Sequence, residues 1–274
     1  MNDPLSIKKS IESQFSNLLK SKIQIIPQLN NPSAYGHSAG DIIEEWVKSQ
    51  LVINKWVVYS PNDFLSSIFN SLKEPAKIVR FLDDQWWAKL LVLRGHLTDF
   101  NEGKQIKRRQ QEGADLVLFY GEDLIKEPEK VILINTKSHE DSRKSRDPNI
   151  MSAQRLIEYF NYLAVNPNRD KMLKNAELWF LGVDYTVASE GGQVKKINIK
   201  ELFKLEVAKI PQINFDAAIQ IQWHVSNMIE KNQTKREFVL NLVNEFMKRW
   251  TRHSESKQKK YEKIAQSIKT NLSN

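Results

Sequence analysis

Apolar positions at Leu5, Ile7, Ile11, Phe15 and Leu18-Leu19 recur at helical spacing and predict a helix over residues 5–20. A stretch rich in Asn, Pro, Ser and Gly from Asn30 to Gly40 reads as loop. A helix starts near Ser38 and runs through Glu44, Trp46, Val47 and Leu51. Trp56 to Tyr59 reads as a short strand ended by Ser60-Pro61-Asn62, residues 63–94 as mostly helical up to Arg94-Gly95, and residues 99–112 as a polar surface loop. Two compact apolar runs follow, near 115–120 and 130–137, joined by a turn through Gly121 and Pro128. Residues 138–149 read as a polar loop and 151–163 as a helix. Strands are expected at 177–187 and 193–199, with Gly191-Gly192 as their hairpin turn, and at 219–225. In the last of these, Ile219, Ile221, Trp223 and Val225 alternate onto a core face, with Gln220 and Gln222 on the opposite one. Thr234-x-x-Glu237 is a capping-box pattern opening a helix to about Trp250, and a basic helical segment continues to Asn274. With no internal repeat and no low-complexity linker, the economical reading is one mixed α/β domain over 1–274, ending in a basic helical tail from about 251.

Charge narrows the choice of partner. Lys and Arg number 41 against 33 Asp and Glu, a net charge of +8 and a pI of about 9.4, which favours a polyanion and most simply nucleic acid. The basic residues cluster. Lys104, Lys107, Arg108 and Arg109 precede the 115–120 run; Lys137, Arg143, Lys144 and Arg146 follow the 130–137 run. A third cluster from Lys248 to Lys263 has the pattern of a solvated helix face. There is no Cys, which excludes disulfides and thiolate zinc sites. No run approaches the roughly 20 apolar residues of a membrane helix. Met1-Asn2-Asp3-Pro4 lacks the basic-then-apolar pattern of a signal peptide, so a cytoplasmic location without membrane association is expected.

The two apolar runs end in chemistry. Gly113-Ala114-Asp115 enters the first, and Asn135-Thr136-Lys137 closes the second. Phosphodiester hydrolysis requires an activated water and a cation against the phosphate oxygens. Mg²⁺ suits that role and takes hard oxygen ligands. Asp115 offers a carboxylate; Asn135 and Lys137, two apart on a strand, share a face. Lys137 would orient the water and compensate charge, and the Thr136 carbonyl is a further oxygen. The pattern resembles the metal site of PD-(D/E)xK nucleases, with Asn135 where an acid is expected. Alone it has low specificity: Asp115 capping a turn and Lys137 as a solvated strand end account for such a pattern more often than a nuclease site does.

Other segments extend the resemblance. Tyr35-Gly36-His37-Ser38-Ala39-Gly40 with Glu44 on the following helix, Arg94-Gly95, Ala114-Asp115-Leu116-Val117, Pro148-Asn149-Ile150 with Ser152-Ala153, Ile213-Asn214-Phe215, and Gln220-Ile221-Gln222-Trp223-His224-Val225 occur in one order across the chain. Together they resemble the HincII (HindII) type II restriction endonucleases. That resemblance implies a PD-(D/E)xK restriction-endonuclease-like fold, with a mixed central sheet flanked by helices. It also implies a prokaryotic restriction-modification enzyme, a homodimer on double-stranded DNA that cuts a short palindromic site with Mg²⁺. Asp115 and Lys137 inherit catalytic roles, and Asn135 falls on the second acid. Asn149 and Asn214 fall on base-contacting positions, where an amide both donates and accepts. Asn149 also reads as a helix N-cap. Arg146 stands where the family inserts a Gln into the base stack, and Ser138 where it has a Thr beside the site. Arg143, Lys144, Arg108 and Arg109 are the expected phosphate contacts. Glu44 is either a structural acid or a metal ligand. His37 and His224 have neither a second His nor a carboxylate at metal-ligand spacing and read as packing residues.

Asn135 leaves two readings open. An amide removes one negative charge from a dication site, where two unit charges at 4 Å interact by about 4 kcal/mol at an intermediate dielectric, partly offset by desolvation. Either the chain cleaves DNA with a neutral ligand, or it is a natural or engineered non-cleaving, sequence-specific DNA-binding relative. A basic RNA-binding or scaffold protein is the third and weaker reading.

Overall fold

The longest runs of buried side chains, Val131–Thr136 and Leu178–Tyr185, lie on two adjacent strands and mark the middle of the protein. The structure is a computed structural model that describes residues 4–20, 25–26, 36–51, 56–84, 114–120, 130–141, 148–166, 169–214, 219–250 and 255–273. Its elements are α1 (Pro4–Lys20), β1 (Ile25–Ile26), α2 (Gly36–Gln50), β2 (Trp56–Tyr59), α3 (Pro61–Leu72), α4 (Pro75–Asp84), β3 (Leu116–Tyr120) and β4 (Lys130–Glu140). There follow β5 (Asn149–Ser152), α5 (Ala153–Val165), α6 (Arg169–Asn175), β6 (Ala176–Ala188), β7 (Gly191–Glu201), β8 (Gln212–Asn214), β9 (Gln220–Gln222), α7 (Lys235–Arg249) and α8 (Glu255–Ser273). The expectations for Arg94-Gly95, the 99–112 loop and the turn from Gly121 to Glu129 lie outside the described residues.

Six strands form the central sheet in the order β1-β7-β6-β4-β3-β2. It is mixed: β4 and β6 pair in parallel, and the other neighbours are antiparallel. A parallel pair needs a long crossover, here β5, α5 and α6. Both faces are covered, which is why β4 and β6 read as continuous apolar runs rather than alternating ones. On one face Leu116, Leu118, Ile132, Ile134, Trp179, Leu181 and Val183 pack against Ile7, Ile11 and Phe15 of α1 and Ile43 and Val47 of α2. On the other, Val117, Phe119, Val131, Leu133, Leu178 and Phe180 meet α3, α5, α7, α8 and a second, three-stranded sheet ordered β5-β9-β8.

Local chemistry explains where the structure departs from expectation. The helical stretch after residue 63 is two helices: Lys73, with φ 58°, ends α3, and Pro75 opens α4. β4 runs three residues past the expected end, so Ser138, His139 and Glu140 are strand rather than loop. Asn149 is not a helix N-cap; it opens β5, and α5 begins at Ala153, whose N–H donates to the Ile219 carbonyl at 2.7 Å. A short apolar run such as Ile150-Met151 fits strand or helix equally. The β6–β7 turn is Ser189-Glu190, with Gly191 (φ 134°) already paired to Ala188, two residues before the expected position. The expected 219–225 strand is only Gln220–Gln222, because His224 caps a 3₁₀ turn over Val225–Asn227.

The Thr234–Glu237 capping box is formed in both directions. The basic C-terminal segment is a docked helix: Tyr261, Ala265, Ile268 and Leu272 form one buried stripe, and Tyr261 stacks 4.9 Å from Trp250. Lys259, Lys260 and Lys263 lie on its exposed side. Among the described residues, no helix is long and apolar enough to cross a membrane.

Candidate active site

Alternation along the strands sets which side chains meet. Val131 and Leu133 of β4 face the larger core, as do Val117 and Phe119 of β3, so the same phase carries Asn135, Lys137 and His139, and Asp115. The register Leu116↔Ile134 brings Asp115 to the end of the β3–β4 ladder. There its N–H donates to the Ile134 carbonyl at 2.8 Å, and its carboxylate oxygen Oδ2 accepts from the Thr136 N–H at 2.7 Å. A hydrogen bond to a charged acceptor is about twice as strong as a neutral one. In a strand, the N–H and C=O of one residue point to the same side, so the Thr136 carbonyl is directed towards Asp115 as well.

Lys137 Nζ lies 3.9 Å from the same Asp115 Oδ2, with the two side chains 23% and 11% exposed. A half-sheltered carboxylate and ammonium thus share one end of the ladder. Asn135 is 3% exposed and presents a neutral amide. Ser138 alternates to the opposite face from Lys137. Glu44 is half-buried on α2, the helix packed against the Ile132 and Ile134 face, opposite to the Asp115 and Lys137 side chains.

The second sheet carries the two amides named from sequence. Asn149 pairs with Gln222, and Gln222 Nε2 donates to Asn149 Oδ1 at 3.0 Å. Asn214 pairs with Gln220, and Gln212 with Gln222. Ile213 and Ile221 point into the core, so Gln212, Asn214, Gln220 and Gln222 share the outward face. Gln220 and Gln222 face away from the core, as their alternation with Ile221 and Trp223 predicts. Arg108, Arg109, Arg143, Lys144 and Arg146 lie outside the described residues.

The comparison with known families bears on this arrangement. The family model of the restriction endonuclease HincII matches residues 35–268, most of the chain. The chain belongs to the HincII restriction endonuclease family. No individual curated protein matches it. As expected for that family, the HincII-type chain has a mixed α/β architecture with a central sheet flanked by helices.

Beside the HincII-type site, His224 packs on His139 and caps the 3₁₀ turn, as a packing residue is expected to, and its neighbours in space add a group that spacing along the chain does not show. His139 of β4, Asp184 of β6 and His224 present ligand atoms all within 4.8 Å of one another. The rings of His139 and His224 meet edge to face at 4.2 Å, and His224 Nε2 is 3.5 Å from Asp184 Oδ1. The residues come from three distant segments, so no spacing along the chain reveals them. Burial pushes the Asp184 carboxyl above the usual Asp range, against the pull of His224. His37 lies on α2, and its side chain is outside the described residues.

Proposed function

We propose that this HincII-family chain is a type II restriction endonuclease that hydrolyses phosphodiester bonds of double-stranded DNA at a short palindromic site, with Mg²⁺ as cofactor. The observation that carries this reading is the convergence of Asp115, the Thr136 backbone and Lys137 at one strand end. The donor chemistry fits Mg²⁺, which takes hard oxygens: the Asp115 carboxylate, the Thr136 carbonyl and the Asn135 amide oxygen would hold it. When bound, the cation supplies charge stabilisation on phosphate oxygens and a lowered pKa for a coordinated water. Lys137 donates a hydrogen bond that orients the attacking water and stabilises negative charge in the transition state. Asp115 keeps the Lys137 ammonium nearby, and its bond to the Thr136 N–H fixes the strand end.

The outward amides of the second sheet support base reading. Asn149 and Asn214 each offer a donor and an acceptor to a base edge, and Gln222 fixes the orientation of the Asn149 amide. Arg108, Arg109, Arg143, Lys144 and Arg146 supply phosphate contacts on this reading. Two copies of the chain, one per strand of a palindrome, complete the enzyme, which acts in the cytoplasm of a prokaryote as part of a restriction-modification system.

The single amide at Asn135 favours a second reading, a DNA-binding relative that does not cleave. A plasmid cleavage assay of this chain and Asn135→Asp tests both. Cleavage by both supports the enzyme; cleavage by Asn135→Asp alone selects the non-cleaving relative. If neither cuts and Asp115→Ala binds DNA unchanged, the nuclease reading fails.

A further inference from the structure

We propose that His139, Asp184 and His224 form a second metal site, for a divalent transition ion of zinc type, one same-face step along β4 from Lys137. This inference does not rest on the nuclease reading, because none of the three residues belongs to the Asp115 cluster.

The donor set selects the metal class. Two imidazoles and one carboxylate suit Zn²⁺ and its neighbours, whereas Mg²⁺ prefers oxygen alone. Three protein ligands with an open fourth position are the usual arrangement of a zinc site that keeps a water. Donor atoms around a tetrahedral zinc at its usual bond lengths lie about 3.3 Å apart. Here all three lie within 4.8 Å, and His224 Nε2 and Asp184 Oδ1 are 3.5 Å apart. Small side-chain movements therefore close the site.

The surroundings orient the ligands as metal sites require. A ligating imidazole passes its other ring proton to an acceptor, which fixes its tautomer. Ser226 Oγ lies 2.5 Å from His224 Nδ1, and Asn227 Oδ1 lies 3.4 Å from that hydroxyl. With Nε2 on a metal, Nδ1 donates to Ser226 Oγ, which donates onward to Asn227. In the other tautomer Nδ1 accepts the Ser226 N–H at 3.3 Å as the cap of the 3₁₀ turn, and a metal on Nε2 exchanges that bond for the one to Ser226 Oγ. His139 Nδ1 is buried without a hydrogen-bond partner, with Asp141 Oδ1 3.7 Å away. Asn198 Nδ2 donates to Asp184 Oδ2 at 3.5 Å. A dication also compensates a carboxylate that is 7% exposed.

The location assigns the metal a task. Asp184 pairs with His139 across β6 and β4, and Gly182 pairs with Lys137. A Cβ on Gly182 would stand 2.7 Å from Val225 Cβ, so glycine is what lets the His224-Val225 segment lie directly on β6. That segment follows β9, the middle strand of the sheet carrying Asn149 and Asn214. A metal on His224 therefore ties the amide-bearing sheet to the strand of Lys137.

The test uses the full chain stripped of metal, then titrated with Co²⁺ and Zn²⁺ in millimolar Mg²⁺. The expected result is one ion per chain, visible absorption bands of low-coordinate Co²⁺, and a raised thermal midpoint with Zn²⁺. His224→Gln, His139→Gln and Asp184→Asn each lower affinity by at least about tenfold, while Asp115→Asn leaves it unchanged. Thermal unfolding in chelator checks that each variant is folded. Absence of stoichiometric binding, binding that survives all three substitutions in folded protein, or binding lost in Asp115→Asn overturns the proposal.

Discussion

Two clusters sit side by side on one face of β4 and differ in kind. At Asp115, Asn135 and Lys137 the donors are oxygens, and an ammonium is 3.9 Å from the carboxylate. At His139, Asp184 and His224 the donors are two imidazoles and a carboxylate. The first suits a weakly held hard cation that keeps its waters, with a lysine to guide one of them. The second suits a tightly held ion of the zinc class. Adjacent positions on one strand pair can thus divide labour, chemistry at one step and fastening at the next. The neutral amide of Asn135 leaves Asp115 as the carboxylate of the first cluster and does not touch the second.

The largest effect expected is on chemistry. Lys137→Ala lowers single-turnover cleavage by at least about 10²-fold while leaving Zn²⁺ binding at the imidazole cluster intact. Loss of both together would merge the two clusters into one. Next comes specificity. Asn149→Ala costs about 1–3 kcal/mol of discrimination between the cognate site and a one-base variant, measured by competition binding at fixed salt. Equal weakening on all sequences would instead make Asn149 a backbone contact.

Gly182→Ala overpacks the contact with Val225 and destabilises the fold by about 1–3 kcal/mol, measured by urea unfolding. The same change displaces His224 and so weakens Zn²⁺ binding. A variant of unchanged stability would mean that the segment is not held against β6. The smallest effect lies outside both clusters: Thr234→Ala removes the cap of α7 and costs about 1 kcal/mol of stability, with cleavage and metal binding unchanged.

Legibility followed chain locality. β3 and β4 were readable because strands buried on both faces are unbroken apolar runs, and Asp115 and Lys137 lie beside the point where their ladder ends. The Thr234 cap was readable because both partners lie within four residues. β5 was hidden because four residues with two apolar positions carry no period. The hairpin turn was misplaced because glycine also serves at the first strand position, where Gly191 takes φ 134°. The imidazole cluster was hidden because β6 brings Asp184 between residues 85 positions apart, His139 and His224. α8 was legible as a basic helical segment, but its buried stripe and the partners Trp250 and α5 are products of packing.

The central claim is that the Asp115–Lys137 end of β3 and β4 is a phosphodiesterase site working with a neutral third ligand. The direct measurement is cleavage of plasmid DNA across a Mg²⁺ titration by this chain and by Asn135→Asp. The account predicts site-specific cleavage by both, with Asn135→Asp reaching half-maximal rate at a Mg²⁺ concentration at least about tenfold lower, the direction in which one added negative charge acts. No cleavage by this chain at any Mg²⁺ concentration, with DNA binding retained and whether or not Asn135→Asp cuts, would contradict it.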